Sequence, residues 1–457
     1  MFKLRNWECR ATACLTGLVL TSFLAAASAQ DEPTPAPPTV KPNSSADLPQ
    51  TPPSAKPDPP STSGSPDAEK PQPPSATNPQ PPGKVTAPRL APSLLRPLDS
   101  PLSPFANLQM PPGQRPYLAR LSRAPDLFGD FNTLSVTDIQ QVRHNNDPLF
   151  PTVGVPSGGS VGVPSGGSAR RYKNEQARAL PTDRAFVFFN HFHNATTIRG
   201  PGGNVNGDIN QFTFGVERTF ADGDWSAEVR LPISAETDIT KGMTSAHSNG
   251  VGNLVVTLKN LLYVDSDYAL AMGLAVTAPT GSDADIGFFG SQITIQNEAV
   301  HLLPYLALQA TPSEDWFFHV FAQVDVAANG DGIEVFDSVA MTTSTGRIVE
   351  QTLLFLDVSA GYWWMKDDDP ESTLTGVASV LELHYTGALN DAHIANVGSI
   401  AVGNLDNRID VLNMTIGLHT EWQKNTAIRF ATVVPLRSGT ANRFFDVEFQ
   451  LALVKRL

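Results

Sequence analysis

From Asp183 onward, apolar and polar residues alternate with a period of two, the signature of strands whose two faces meet different surroundings. Phe445, Val447, Phe449, Leu451 and Leu453 share one face near the end of the chain, and Asp446, Glu448 and Gln450 share the other. Trp225, Ala227, Val229 and Leu231 likewise oppose Ser226, Glu228 and Arg230. Beyond residue 29 no apolar run is long enough for a spanning helix, which leaves a closed barrel as the way across a bilayer. Twelve alternating segments are expected, at about 184–194, 210–220, 224–233, 251–262, 267–278, 299–311, 315–327, 351–364, 374–386, 408–419, 425–434 and 444–455. The expected fold is all-β, a transmembrane antiparallel barrel of about 12 strands over 183–457, preceded by a disordered proline-rich region.

The connections alternate in length. Short polar turns are expected at 221–224, 265–267, 311–315, 366–370 and 421–424, and long Gly/Asn/Ser/Asp-rich loops near 195–209, 234–250, 279–298, 328–350 and 387–407. The eleventh connection, 437–443, is intermediate. Short turns at even positions put both termini on the short-turn side, which is periplasmic in outer-membrane barrels. Trp225, Trp316, Trp363, Trp364 and Trp422 all flank short turns, so one interfacial aromatic girdle is expected there. Pro232 and Pro304 fall in expected strands and are tolerable only at bulges or strand ends.

The first 182 residues look different. Lys3, Arg5 and Arg10, the apolar run 11–27 and Ala27-Ser28-Ala29 read as a signal peptide, residues 1–29. Cys9 and Cys14 fall inside it, so no disulfide or cysteine-held metal is expected afterwards. Residues 31–116 hold 26 of the 39 prolines and no aromatic residue before Phe105, which gives 30–116 as a polyproline-rich tether with a cell-wall contact as its sharper reading. Residues 117–182 are a linker in which Ser135 caps a short helix over Val136–Arg143, part of a small plug or cap. Two tandem copies of Val-Gly-Val-Pro-Ser-Gly-Gly-Ser, 153–160 and 161–168, read as a flexible connector.

By strand parity the lumen-lining candidates are Glu217, Glu228, Arg230, Lys259, His319, Gln323, Asp325, Asp357, Glu382, His384, Arg429, Asp446 and Glu448. Opposite charges facing one another in so narrow a barrel imply a closed or gated interior rather than a wide pore. His191 and His193, two apart on one strand, have metal-ligand spacing, but no third ligand is evident and a polar rim is the plainer reading. Asp367–Asp369 reads as a solvated turn, and Asp283, Asp285 and 329–332 as weak calcium candidates. The string Gly158-Gly159-Ser160-Val161-Gly162 matches G-x-S-x-G only across the repeat junction, without a strand-turn-helix context. No catalytic residue, cofactor or metal is assigned, and the charge of −13 argues against nucleic acid.

Two motifs carry a family resemblance. Gly250-Val251-Gly252-Asn253 opens an apolar strand, and the next apolar strand closes on Pro279-Thr280-Gly281. Over about 205–457 the chain resembles the outer-membrane transporter family named after the meta-pathway of phenol degradation. The resemblance implies an outer-membrane barrel that passes small, often hydrophobic solutes and carries no catalytic residues. The expected function is therefore an outer-membrane channel or passive transporter in contact with membrane lipid. A structural or adhesion barrel is the alternative, and an outer-membrane hydrolase a weaker one.

Overall fold

The computed structural model describes residues 119–130, 136–141, 161–164, 172–173 and 176–457, apart from 201–202, 289, 339, 370 and 439–441. The segments read as signal peptide and proline-rich tether, the first octapeptide copy and the G-x-S-x-G serine lie outside the described residues. Twelve strands make the wall: β1 Arg184–Gly200, β2 Gly203–Phe220, β3 Trp225–Lys241, β4 Leu254–Val264, β5 Tyr268–Ala278, β6 His301–Ala310, β7 Trp316–Ala327, β8 Leu353–Lys366, β9 Leu374–Ala388, β10 Asp410–Trp422, β11 Thr426–Pro435 and β12 Val447–Arg456. Each pairs antiparallel with the next, and β12 closes on β1 from Val447↔His193 to Arg456↔Arg184. Closure leaves the wall no edge with unpaired amides.

The alternation written in the sequence becomes inside and outside. In β6 every other residue is buried, from His301 through Leu303, Tyr305 and Ala307 to Gln309, while Leu302, Leu306 and Leu308 face out. Phe212, Phe214, Val229, Val256, Leu274, Phe318, Leu356, Leu383, Phe430 and Leu451 are exposed on the other strands. So continuous an apolar belt would drive association in water, and it fits hydrocarbon. Pro304 sits in mid-strand, where an end or bulge was expected. Its ladder to β5 is continuous, whereas the register to β7 skips Leu303 and Pro304, so a local gap in the ladder accommodates the missing N–H.

The short turns lie where expected. Ala221, Asp222, Gln423 and Lys424 adopt left-handed φ values of 51°, 57°, 50° and 61° to reverse the chain tightly. Next to them Trp316 packs edge-on to Tyr362 at 5.1 Å, Tyr362 packs on Trp364 at 5.2 Å, and Phe220 stacks on Trp225 at 6.3 Å. Trp316, Trp364 and Trp422 are exposed, but Trp363 is buried at 5% and does not belong to this girdle. Adjacent residues of a strand point to opposite faces, so the Trp363-Trp364 pair cannot both face outward.

The long connections correct the sequence reading more deeply. They are hairpins that extend the wall beyond the apolar belt: β3 continues into 244–251, and further strands run over 284–288, 291–295, 331–337, 342–348, 395–397 and 400–403. The hairpins also pair with one another, 244–247 against 285–288 and 291–295 against 333–337. Their inner faces bring Ile239, Ile286, Ile293, Ile295, Ile333, Val335, Ile348, Val397 and Ile400 into one dry core. Val136–Gln141 is a strand paired with 400–403, where a helix was expected, because that crown offers it an open edge. Residues 161–164, the start of the second octapeptide, form a strand paired with 136–137 and with 197–198. Among the described residues of the N-terminal region the helix is α1, Ala119–Arg123.

Candidate functional site

The barrel interior is where the chemistry collects, and the chain's own N-terminal segment occupies much of it. Two stretches, 119–130 and the described residues of 172–183, pack against the inward face of the wall and form a strap. Leu121, Leu127, Ala179 and Leu180 meet Leu261, Ala271, Tyr305 and Phe321, near the short-turn end. Phe128 lies against the wall at Gly417, where a Cβ would come within 2.3 Å of its ring, and the Arg429 guanidinium covers it at 3.9 Å. Only a glycine at 417 lets the strap lie this close.

The register explains the charges. The tight turn at 221–224 sets Glu217 of β2 directly opposite Glu228 of β3, both facing inward. Two buried carboxylates side by side demand cations. Arg184 of β1 supplies one, with Nε 2.7 Å from Glu217 and Nη2 2.8 Å from Glu228, while Nη1 lies 2.7 Å from Asp126 of the strap. Lys259 donates to Glu217 at 2.8 Å, and Arg230 pairs with Glu228. Asp126 also meets Arg178 at 3.1 Å. Burial disfavours the charge on Asp126, but the guanidiniums of Arg184, Arg178 and Arg429 outweigh it and hold its carboxyl well below the ordinary range. Arg429 further donates to the strap backbone at Leu127 and Asp126 and to Gln176.

A second cluster lies deeper. Glu382 accepts the backbone N–H groups of Phe128 at 3.0 Å and Gly129 at 2.9 Å, and His384 lies 2.8 Å from Asp357 and 3.3 Å from Glu382. The Lys173 ammonium pairs with Asp130 and lies 3.1 Å from Asp357. Burial alone would lower the Lys173 pKa, but those two carboxylates reverse the effect and raise it. Glu448 accepts from Asn190 at 2.5 Å, and Gln450 bonds both Glu448 and the Gly129 carbonyl. His301 lies 2.6 Å from Asp325, with Glu350 at 3.5 Å on its other ring nitrogen.

Glu217, Glu228, Arg230, Lys259, His319, Gln323, Asp325, Asp357, Glu382, His384, Arg429 and Glu448 are therefore all buried on the inward face. Asp446 is not among them. It precedes β12 at the long-loop rim, half-exposed, bonded to Asn194 at 2.6 Å and to Arg443 at 2.9 Å. Phe445 turns inward in its place against Phe192, Ile209 and Val433, so the alternation read through 445–446 breaks at the strand start. Arg184, Asp126, Asp130, Lys173, Arg178, His301 and Glu350 complete the network and were not singled out from sequence. The opposed Glu217–Glu228 pair was a legible signal that a further cation had to exist.

The inward face also holds polar atoms that are not tied, on several strands around the barrel. His319 Nε2, Ser359 Oγ, Thr257 Oγ1, Thr277 Oγ1 and both amide atoms of Gln323 are buried without a hydrogen-bond partner among the described residues. They lie on the inward faces of β4, β5, β7 and β8, with His319 and Ser359 in register.

The acidic loop candidates serve local structure. Asp331 accepts the N–H groups of Glu298 and Ala299, Asp285 accepts from Thr294, Asp283 from the Asn297 N–H, and Asp367 from the Asp369 N–H. His191 and His193 face outward, where Asp208 of β2 joins them.

No family model matches the chain. No curated protein sequence matches it. Among solved structures, it is similar to an outer membrane channel from Pseudomonas putida F1, at 14% identity and a TM-score of 0.43, over 63% of this chain and 100% of that one. It is also similar to the NanC porin (10% identity, TM-score 0.34, 60% of this chain and 100% of that one). A third similar structure is the Ralstonia pickettii toluene transporter TbuX (11% identity, TM-score 0.30, 60% of this chain and 90% of that one).

Proposed function

We propose that the chain is an outer-membrane channel or passive transporter for small, hydrophobic solutes, in which the strap fills the lumen at rest. The carrying observation is the pairing of an apolar exterior with an inward face crowded by ionised and hydrogen-bonding groups, a combination useful to a solute path and costly in a mere anchor. His319, Gln323, Ser359, Thr257 and Thr277 carry buried polar atoms that no described residue bonds, so a displaced strap would leave them for a solute to use. The resemblance to the phenol meta-pathway family supports the solute class, and the tight turns support a periplasmic side for both ends. On this reading residues 1–29 export the chain and 30–116 cross the periplasm as a tether toward the cell wall.

Planar-bilayer recording tests the reading. Wild-type protein should show small or rare currents, and Gly417→Leu, which drives Phe128 from its seat, should raise conductance several-fold while the barrel stays heat-modifiable on gels. Silence from both proteins would favour a structural or adhesion barrel. One observation favours that second reading: buried ion pairs hold the strap to the wall at two levels, Asp126 with Arg184 and Lys173 with Asp357.

A further inference from the structure

His191 and His193 stand on the outward face of β1, just where the apolar belt gives way to polar residues. Below them on the same face come Phe189 and Val187; on β2 the matching sequence runs Phe214, Phe212, Asn210, Asp208. Counting from the aromatic girdle at Phe220, about ten residues of tilted strand span about 25 Å, the height of a barrel's apolar band. The two imidazoles therefore lie at the far interface.

Three features bring them together as ligands. The ring centroids are 6.4 Å apart and near-parallel. Asp208 lies between the histidines' reach, 2.9 Å from His193 Nδ1 and 3.9 Å from His191 Nε2, and one ligand atom from each of the three residues falls within 4.8 Å of the others. Asn210 Oδ1 lies 2.8 Å from His191 Nδ1; with the ring hydrogen on Nδ1 donated there, Nε2 keeps its lone pair toward Asp208. The Asn194 backbone N–H donates to Asp208 at 2.9 Å and steadies the carboxylate.

We propose that His191, His193 and Asp208 bind a borderline divalent transition-metal ion, zinc first, on the outer surface of the barrel at the long-loop interface, with water completing the shell. Two imidazoles and one carboxylate suit zinc and leave an open position. Bonds of about 2.0–2.1 Å in a tetrahedron put ligand atoms about 3.4 Å apart, so the groups need to shift by only about 1 Å. The buried Asp130–Asp357–His384 group, also compact enough for an ion, differs because the Lys173 ammonium already supplies the cation.

The test is calorimetric titration of zinc alone into the full chain in detergent, free of any histidine tag. One equivalent should bind. His193→Gln and Asp208→Asn should each weaken binding by about 30-fold or more, and Asn210→Ala by about 10-fold through loss of ring orientation. His393→Gln, in a distant loop, should bind as wild type, and calcium in excess should not compete. Zinc K-edge absorption on the wild-type protein should show two imidazole ligands whatever the variants' folding. A wild-type protein that takes up no zinc, variants that bind it undiminished, or a spectrum without imidazole would each overturn the proposal.

Discussion

The two halves of the barrel's interior solve one problem with opposite chemistry. Inside the belt the strap meets the wall through Asp126 on Arg184, the Leu127 carbonyl on Arg429, the Phe128 N–H on Glu382 and, deeper, Lys173 on Asp357. Beyond the belt the same N-terminal region meets the crown as strand 136–141, with Ile139 among isoleucines and valines. Charge joins apolar packing where the strap lies on the wall, whereas apolar burial with backbone pairing alone fixes strand 136–141 to the crown. Buried pairs are specific but unforgiving, because losing one partner strands the others. Apolar contacts are lost in proportion to the volume removed.

That contrast predicts graded responses. Arg184→Met, which leaves Glu217, Glu228 and Asp126 short of a cation, should have the largest effect. Destabilisation of about 3–5 kcal/mol is expected, read as faster hydrogen exchange in 119–130 and an earlier gel transition; unchanged exchange would mean that the ion pairs do not hold the strap. In the crown, Ile293→Ala should cost about 3 kcal/mol, with the faster exchange confined to 136–141 and the hairpins. If the short-turn half responded equally, the two halves would be one cooperative unit. The girdle sharpens the comparison at a single dipeptide: Trp363→Ala opens a cavity beside Phe128 and Phe317, whereas exposed Trp364→Ala should cost about 1 kcal/mol or less.

The pH response is the smallest effect. The lowered pKa of Asp126 makes its contribution complete above its unfolded value of about 3.9 and lost as pH falls through the folded one. Lys173, raised, contributes fully below about 10.4 and loses that contribution as pH climbs past its folded value. These two groups by themselves leave strap protection flat from about pH 4 to pH 10, and a step above neutrality would show that His384, beside Asp130 and Asp357, shares in the anchorage.

Sequence legibility follows the same division. The strands and short turns could be read because lipid on one side and a polar interior on the other impose a strict two-residue period. The crown was hidden: Ser291–Ile295 alternates for only five residues, too few to stand out from Gly- and Asn-rich surroundings. The strap was hidden for a different reason. Residues 119–130 and 172–183 carry no period of their own, since the wall dictates their shape, and Asp126 or Lys173 gains meaning only beside Arg184 or Asp357. Trp363 misled because its neighbour fits the girdle. His191 and His193 were visible as a pair, but Asp208 joins them only through the β1–β2 register, which is offset by an irregularity after Phe192.

The seam between β12 and β1 has a consequence for biogenesis. Asp126 emerges early in synthesis, yet its partners include Arg184 on the first strand and Arg429 on the eleventh, which also donates to its backbone. Its charge is fully matched only when the two ends of the sheet have met around it. A barrel zipped shut without the strap would bury Asp357 without the Lys173 ammonium and Glu382 without the Phe128 and Gly129 N–H groups, so insertion and sealing become one coupled event, and the N-terminal segment serves as a proofreader of its own enclosure.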